Sequence, residues 1–420
     1  MKKTILVSAA ILTALGAAAT PPMHKEPRSS NPLKDKAHEV FTENAPDGLK
    51  DVVPHFAIFG KEDKFYLGIS GQVTATLGWD FGAPVSNPNE LITYDIEPVA
   101  DGDHTRFHLS AMQSGLFFNF VGLPDSKDRI GAFIGMYFLN DYAPVLQYAY
   151  LKYRGIKAGY DYSTFSDNGA MPPTIDFEGP NSGTAFPVAM ASYTYDFGKK
   201  KDWSVTAGLE LPQYSITPSH ITRAVSQAVP DIPVALKYSW NRKNDWVRLS
   251  GVVRNMNYRN IPDDKNIDVV GWGVALSGTA EIAPGLRGYW NGVYGRGIAS
   301  YIQDLTGNGM DLTPCGSGGA LKASNTWGAF GGLQYDFSPS VYCSATYSHV
   351  RNYAKEWNGI SDGTDYGAQY RYAQYAVGNV FWQISPILKT GIEYIYARRV
   401  NNDGSQAHVS RLQTMLQLSF

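Results

Sequence analysis

From Lys64 onward, apolar and polar side chains alternate with a period of two over unusually long runs. Between Phe65 and Trp79 every second residue is apolar or glycine, whereas the intervening residues, Tyr66 to Asp80, are mostly small or polar. The alternation returns in residues 203–211, 234–240, 247–254 and 341–348. Successive strand residues face opposite ways, so these runs predict strands whose two faces meet different solvents. Soluble sandwich strands also alternate, but they are shorter, about 5–6 residues.

The last ten residues carry this pattern to the end of the sequence. Every second residue from Leu412 to Phe420 lies on one face, opposite the run from Arg411 to Ser419. A final aromatic residue on an amphipathic strand is typical of Gram-negative outer-membrane barrels. We therefore expect the barrel assembly machinery to recognise Phe420.

The first residues predict export from the cytoplasm. Lys2 and Lys3 precede the apolar run Ile5–Leu15 and the small residues Ala17–Ala19, which is the order of a secretory signal. We assign residues 1–19 to this signal. Because no cysteine follows the small residues, a lipid anchor is not expected.

The rest of the chain divides into two parts. Residues 20–60 are polar and rich in proline, and predict a mobile N-terminal periplasmic segment with one short helix near residues 34–42. Residues 61–420 contain no run of the roughly 18 apolar residues that a transmembrane helix needs. In lipid, strands can span only as a closed barrel, which leaves no backbone group unpaired. About sixteen strand candidates predict an all-β fold, a transmembrane antiparallel β-barrel with outer-membrane lipid around it.

Composition excludes several other classes. The 36 Lys and Arg residues against 38 Asp and Glu residues leave a net charge of -2, so no basic surplus favours a nucleic-acid partner. Two cysteines are too few for a disulfide scaffold. The 8 histidines are scattered and form no metal or nucleophile motif. We expect no enzyme activity, no metal and no cofactor.

A sixteen-stranded barrel has a lumen too wide for wall side chains to fill, so a loop is expected to narrow it. The stretch 162–184 is long, does not alternate, and is dense in Pro, Gly and Asp, which predicts an ordered loop folded inward. An exposed surface loop is the alternative. The residues assigned to this constriction loop are Tyr162, Phe165, Asp167, Asp176 and Glu178.

Charges on the inward parity predict the selectivity of the pore. Among the clearest inward positions, basic residues outnumber acidic ones, and a basic ring in a narrow aqueous pore favours anions. Wall salt bridges are the alternative role for these charges. The residues assigned to the pore lining are Arg106, Lys157, Asp161, Glu210, Lys237, Arg248, Arg254, Glu393 and Arg411.

Four segments resemble the DcaP-like trimeric outer-membrane porins. They are Leu146–Tyr150, Ala158–Asp167, Pro173–Pro180 and Gly295–Ile302. The resemblance implies a sixteen-stranded homotrimer with an inward loop and uptake of small anions such as dicarboxylates. The N-terminal coiled coil of that family's type members has no counterpart here, since residues 20–60 are too short and too rich in proline.

The sequence thus predicts an outer-membrane porin for passive diffusion of small hydrophilic solutes, with a preference for anions. One alternative is a channel specific for phosphate or a dicarboxylate. Another is a barrel that is not a channel and acts as an adhesin or an outer-membrane hydrolase.

Overall fold

The computed structural model describes residues 32–50, 54, 56–85, 87–98, 104–315, 318–357 and 365–420, and the predicted signal 1–19 lies outside them. Among these residues one α-helix, α1 (Pro32–Asn44), precedes the strands. The strands are β1 (Phe56–Phe59), β2 (Phe65–Gly82), β3 (His104–Ser110), β4 (Gly115–Gly122), β5 (Ile130–Asn140), β6 (Ala143–Tyr153), β7 (Ile156–Tyr162), β8 (Pro187–Phe197), β9 (Trp203–Glu210), β10 (Thr222–Ala224), β11 (Ile232–Trp240), β12 (Asp245–Asn260), β13 (Lys265–Ala283), β14 (Leu286–Arg296), β15 (Leu312–Pro314), β16 (Leu321–Ala323), β17 (Asn325–Ser338), β18 (Val341–Tyr353), β19 (Tyr370–Ser385), β20 (Leu388–Asn401) and β21 (Gln406–Ser419). None of the helices described is long and apolar enough to cross a membrane.

The strands form one closed antiparallel barrel with sixteen strand positions in its wall. The last strand, β21, pairs with β2 over Gln72–Gly82 and so closes the ring. Phe420 extends this pairing, because its backbone N–H and C=O both bond to Gly71. The predicted fold class, including the inward-folding loop, is confirmed.

Two wall positions are built from two short strands each. The first half of β2 pairs with β4 and the second half with β3, so β3 and β4 together make one wall strand. In the same way β10 and β11 both pair with β12 along one edge. The N-terminal strand β1 pairs with β2 on the edge that β21 also uses. The hairpin of β15 and β16 is separate from the wall.

The outer face is an apolar band, as the alternation predicts. On β13, for example, Val270, Val274 and Leu276 are about half exposed, whereas Ala275 and Ser277 on the other face are buried. Aromatic residues gather on the outer face near the strand ends. Near one end Trp203 packs on Tyr238, and near the other Trp79 packs on Phe107, an arrangement that suits two interfacial girdles.

Connections differ in length at the two ends of the barrel. At one end the turns are short, such as Arg154–Gly155, where both residues have positive φ values, as a two-residue hairpin turn requires. At the other end several connections are long, among them those that follow β2, β7, β9 and β14. In outer-membrane barrels the short turns face the periplasm and the long loops face outward.

In the region assigned to a separate segment, residues 20–60, the described residues from 32 onward contribute to the barrel. The helix expected near residues 34–42 is present as α1, and β1 is part of the wall. Phe41 packs against Tyr66 and Val121 on the inner wall, so the helix lies inside the barrel at the end with short turns. This placement differs from the prediction, which treated the segment as mobile and apart from the barrel.

The depth of a charge on the outer face should determine its cost. We expect Val274→Lys, near the middle of β13, to lower the free energy of unfolding by about 2–4 kcal/mol, because lysine at mid-depth faces hydrocarbon. The control Ile282→Lys lies on the same strand at its end and should cost about 0–1 kcal/mol. Equal losses in denaturant titrations in lipid vesicles would contradict this orientation of the wall.

Candidate functional site: the barrel lumen and its constriction

Residues 163–186, between β7 and β8, fold into the lumen, and we call them the constriction loop. Its first part binds to one side of the wall. The buried carboxylate of Glu210 accepts hydrogen bonds from Ser163 Oγ (2.7 Å) and from the Thr164 N–H (2.6 Å). The guanidinium of Arg248 donates to the carbonyls of Thr164 and Ser166.

The middle of the constriction loop binds to the opposite part of the wall, on β20. Glu393, which is 1% exposed, accepts hydrogen bonds from the N–H groups of Ile175 (2.7 Å) and Asp176 (2.8 Å). Asn379 and Gln413 donate to the same carboxylate. Every bond to this buried charge is therefore supplied by the loop or by neighbouring strands, and the loop crosses the lumen.

The five residues predicted for the constriction loop lie in it or at its first end. Phe165 is buried against Tyr301, and Asp167 accepts hydrogen bonds from Ser277 Oγ (2.6 Å) and Trp246 Nε1 (3.0 Å). Asp176 accepts from the Leu91 N–H and the Tyr375 hydroxyl, at 2.9 and 2.8 Å. Of the five, Tyr162 and Glu178 also line a cavity in the lumen.

Two further connections enter the lumen beside the constriction loop. Residues 87–98, after β2, reach Asp304, which accepts three hydrogen bonds from Thr93 and Tyr94. Residues 297–315 and 318–324, after β14, are largely buried, with Tyr301 packed between Phe165 and Phe186. At least three loops, rather than one, therefore occupy part of the lumen.

Several of the charges predicted to line the pore bind these loops. Arg106 donates to the Val85 carbonyl. Arg411 is fully buried, pairs with Asp80 at 2.6 Å and donates to the carbonyl of Asn87 at 3.0 Å. The numbers of basic and acidic residues that were predicted to face inward therefore do not describe the charge that faces water in the lumen.

Arg254 is another buried charge among these residues. It is 1% exposed, lies 3.1 Å from Asp231 and 3.5 Å from Asp311, and stacks over Tyr301 at 4.9 Å. It also donates to the carbonyl of Gly297 (3.1 Å). The guanidinium on β12 thus joins the connection after β9, through Asp231, to the connection after β14, through Gly297 and Asp311.

Lys157 and Lys237 belong to a second group of charges. Lys157 Nζ lies 2.6 Å from Asp161, and Lys237 Nζ lies 4.0 Å from the ring centre of Trp246. The inner wall adds Lys152, and Lys50 follows α1 in sequence. Electrostatic interactions connect Lys152 with Lys157 and Lys50, and Lys237 with Lys50. We call Lys50, Lys152, Lys157 and Lys237 the lysine cluster.

A cavity of about 310 Å³ remains at the constriction. Its lining includes Tyr162 and Glu178 together with Gln147, Gln303 and Glu90. None of the described residues that line it is basic. A cavity of larger volume, about 580 Å³, opens between β17 and β18 near the end with short turns.

The two carboxylates at the constriction share a negative environment. Burial, followed by the charge of Asp176, raises the pKa of Glu90 to about 7. Burial, followed by the charges of Glu90 and Asp304, raises the pKa of Glu178 well above its usual range. Both groups lie in loops, and their protonation changes the charge beside the 310 Å³ cavity. Among the described residues no group of three His, Cys, Asp or Glu side chains could hold a metal ion.

The sequence reasoning missed the two other lumen loops and the interior position of α1. Both had a signal. Residues 298–312 contain Ile298, Tyr301, Ile302, Leu305 and Leu312, which is too apolar for a loop in water. In α1, three apolar residues have the spacing of one helix face, and all three are buried: Ala37, Val40 and Phe41.

A closed barrel of sixteen strands with loops folded into its lumen is the architecture of outer-membrane porins. A family model described as "Porin subfamily" matches residues 124–415, well over half of the chain. The chain belongs to this porin family and is an outer-membrane channel of a bacterium. A search of curated proteins finds no match.

Solved structures share this fold at low sequence identity. The outer-membrane channel DcaP of Acinetobacter baumannii has a TM-score of 0.72 at 19% identity, over 87% of this chain and 100% of that one. OmpF of Salmonella typhi, in complex with daunomycin, has a TM-score of 0.53 at 12% identity, over 87% and 100%. An anion-selective porin from Comamonas acidovorans has 0.52 at 9%, over 85% and 100%. The predicted resemblance to DcaP-like porins is confirmed.

Glu393 should be required to fix the constriction loop. Glu393→Ala leaves the N–H groups of Ile175 and Asp176 buried without an acceptor, a cost of about 1–3 kcal/mol for each group. We expect faster hydrogen exchange at both amides and larger current noise in bilayers. The exposed control Glu281→Ala should match the wild type in both measurements, and unchanged exchange in Glu393→Ala would show that Glu393 does not fix the loop.

Proposed function

We propose that the chain is a channel for passive diffusion of small hydrophilic solutes, that it prefers anions, and that it functions as a homotrimer. The observation that carries the preference is the lysine cluster inside the lumen. Its four ammonium groups interact with three nearby carboxylates, those of Asp47, Asp161 and Asp167. A surplus of positive charge in a narrow, partly enclosed aqueous space raises the local concentration of anions.

Other observations agree with this proposal. One solved porin of the same fold carries the description "anion-selective", although only the fold is shared at 9% identity. The resemblance to DcaP-like porins adds small dicarboxylates as candidate solutes and supports the trimer. Export through the signal in residues 1–19 and assembly through Phe420 belong to the same proposal.

The carboxylates of Glu90 and Glu178 oppose the preference at the constriction. When both are ionised they repel anions in the cavity that they line, so selectivity should depend on the balance between this pair and the lysine cluster. The small cavity of about 310 Å³ also favours a second candidate, a channel whose flux saturates because a solute binds at the constriction.

Neutralising the lysine cluster should reduce anion preference. We expect wild-type protein in a planar bilayer under a KCl gradient to show stepwise openings in threes and a reversal potential on the chloride side. Lys152→Gln combined with Lys237→Gln should move the reversal potential toward zero or toward potassium. The control Lys265→Gln lies at the exposed start of β13, at the other end of the barrel, and should leave the reversal potential unchanged. Wild-type selectivity in the double variant would contradict the proposal.

Anion preference should also rise as the pH falls. Because the pKa of Glu90 is raised to about 7, this carboxylate is charged above that pH and neutral below it. Lowering the pH from about 8 to about 6 therefore removes negative charge from the constriction, and the reversal potential should move toward chloride. Glu90→Gln should lose most of this movement, whereas the exposed control Glu356→Gln should keep it. An equal pH response in Glu90→Gln and the wild type would exclude Glu90 as the titrating group.

A further inference from the structure

The helix α1 has a specific binding site on the inner wall. Asn44 Nδ2 donates to Asn119 Oδ1 (2.7 Å) and to the carbonyl of Ala132 (3.0 Å). Gly131 leaves the space for this contact, because a Cβ atom there would lie 2.0 Å from Asn44 Oδ1. Since any larger residue at position 131 would collide with Asn44, the wall is shaped for this side chain.

Wall residues also satisfy the C-terminal end of the helix. The last carbonyls of a helix have no partner within it, and cations near this end are favourable. Here Tyr150 Oη and Lys152 Nζ donate to the Asn44 carbonyl at 2.8 and 2.9 Å. Asn119 Nδ2 donates to the Phe41 carbonyl at 2.9 Å. The helix is thus fixed in the lumen by polar contacts as well as by its apolar face.

The chain after α1 continues toward the constriction. Ala45 and Leu49 are buried in a cluster of aromatic wall residues that includes Phe117 and Tyr148. Gly48 lines the 310 Å³ cavity. Asp47 approaches the constriction loop, since its Cβ atom is 3.6 Å from the position that a Cβ on Gly169 would take.

Asp47 places a negative charge among the lysines. Its carboxylate lies 2.5 Å from Lys50 Nζ and interacts electrostatically with Lys152 and Lys237. The group is accessible to water in the lumen but is surrounded by the barrel. Burial acts to raise the pKa of the Asp47 carboxyl, but the lysines outweigh it and keep that pKa well below its usual range. The carboxylate is therefore ionised at any physiological pH.

We propose that residues 32–50 are a built-in plug that enters the lumen from the end with short turns, narrows the constriction, and presents Asp47 to the lysine cluster as a tethered competitor of solute anions. This inference rests on the proposed channel function. A carboxylate solute must share the lysines with Asp47, so the plug restricts both the bore and the occupancy of the pore by anions.

The first test compares single-channel conductance of the wild type with a variant that lacks residues 32–50. Conductance should rise at least about twofold, because the bore sets the flux through a water-filled pore. Asn44→Ala keeps the whole chain and weakens only the attachment of the plug, so it should show intermittent openings to a higher level. Asn266→Ala, an exposed asparagine on β13, is its control.

The second test isolates the charge of Asp47 with succinate as the probe. Asp47→Asn should lower the succinate concentration that blocks half of the chloride current by about two- to fivefold, the range expected for removal of one partly exposed ion pair. Asp264→Asn makes the same chemical change in an exposed turn and should match the wild type. Asp47→Lys should strengthen the block further.

The outcomes separate this inference from the proposed function. If the wild type and all variants fold but do not conduct, the channel function is wrong. If the wild type conducts, and the deletion variant and Asn44→Ala both have the same conductance as the wild type, residues 32–50 are not a plug. If the deletion variant fails to fold, Asn44→Ala still tests whether residues 32–50 are a plug, and Asp47→Asn still tests the role of the charge. Succinate block of Asp47→Asn equal to that of Asp264→Asn would overturn the role of the charge.

Discussion

The structure depends on the closure of its sheet. Every backbone N–H and C=O that faces lipid must have a partner, and pairing of β21 with β2 provides the last of these partners. Closure at sixteen strands also creates an interior that wall side chains alone cannot fill. The lumen loops and the N-terminal segment occupy the space that the strands leave open, so they are a consequence of this wide interior.

Polar side chains on the inner wall serve mainly to fix those loops. Glu393 and Arg411 are both buried, and each binds backbone groups of a loop in addition to side chains of the wall. A buried charge is costly unless it is fully hydrogen-bonded, and loop backbones supply the bonds here. Among the described residues, the charges that remain available to solutes include the lysine cluster around Asp47 and the carboxylates of Glu90 and Glu178.

Much of the barrel could be predicted from the sequence, whereas the use of its inner face could not. The alternation indicates which residues face lipid, because each charged side chain that faces hydrocarbon has a large free-energy cost of its own. It identified the strand from Phe65 and the last strand up to Phe420. The partner of an inward charge depends on loops that come from distant parts of the chain and obey no period. Arg254 was therefore identified as inward, but its contacts with Asp231 and Asp311 could not be foreseen.

The attachment of the constriction loop has a consequence for how the barrel is made. The contact between Ile175 and Glu393 joins residues 218 positions apart. Its acceptor comes from β20, close to the C-terminus, and contacts this distant in sequence form late because closing a long loop is entropically costly. Until β20 is in place, the constriction loop has its attachments to earlier strands, such as the one at Glu210, but lacks the one at Glu393. The lumen thus acquires its final width in the last stage of biogenesis, so an unfinished barrel would leak more than a finished one.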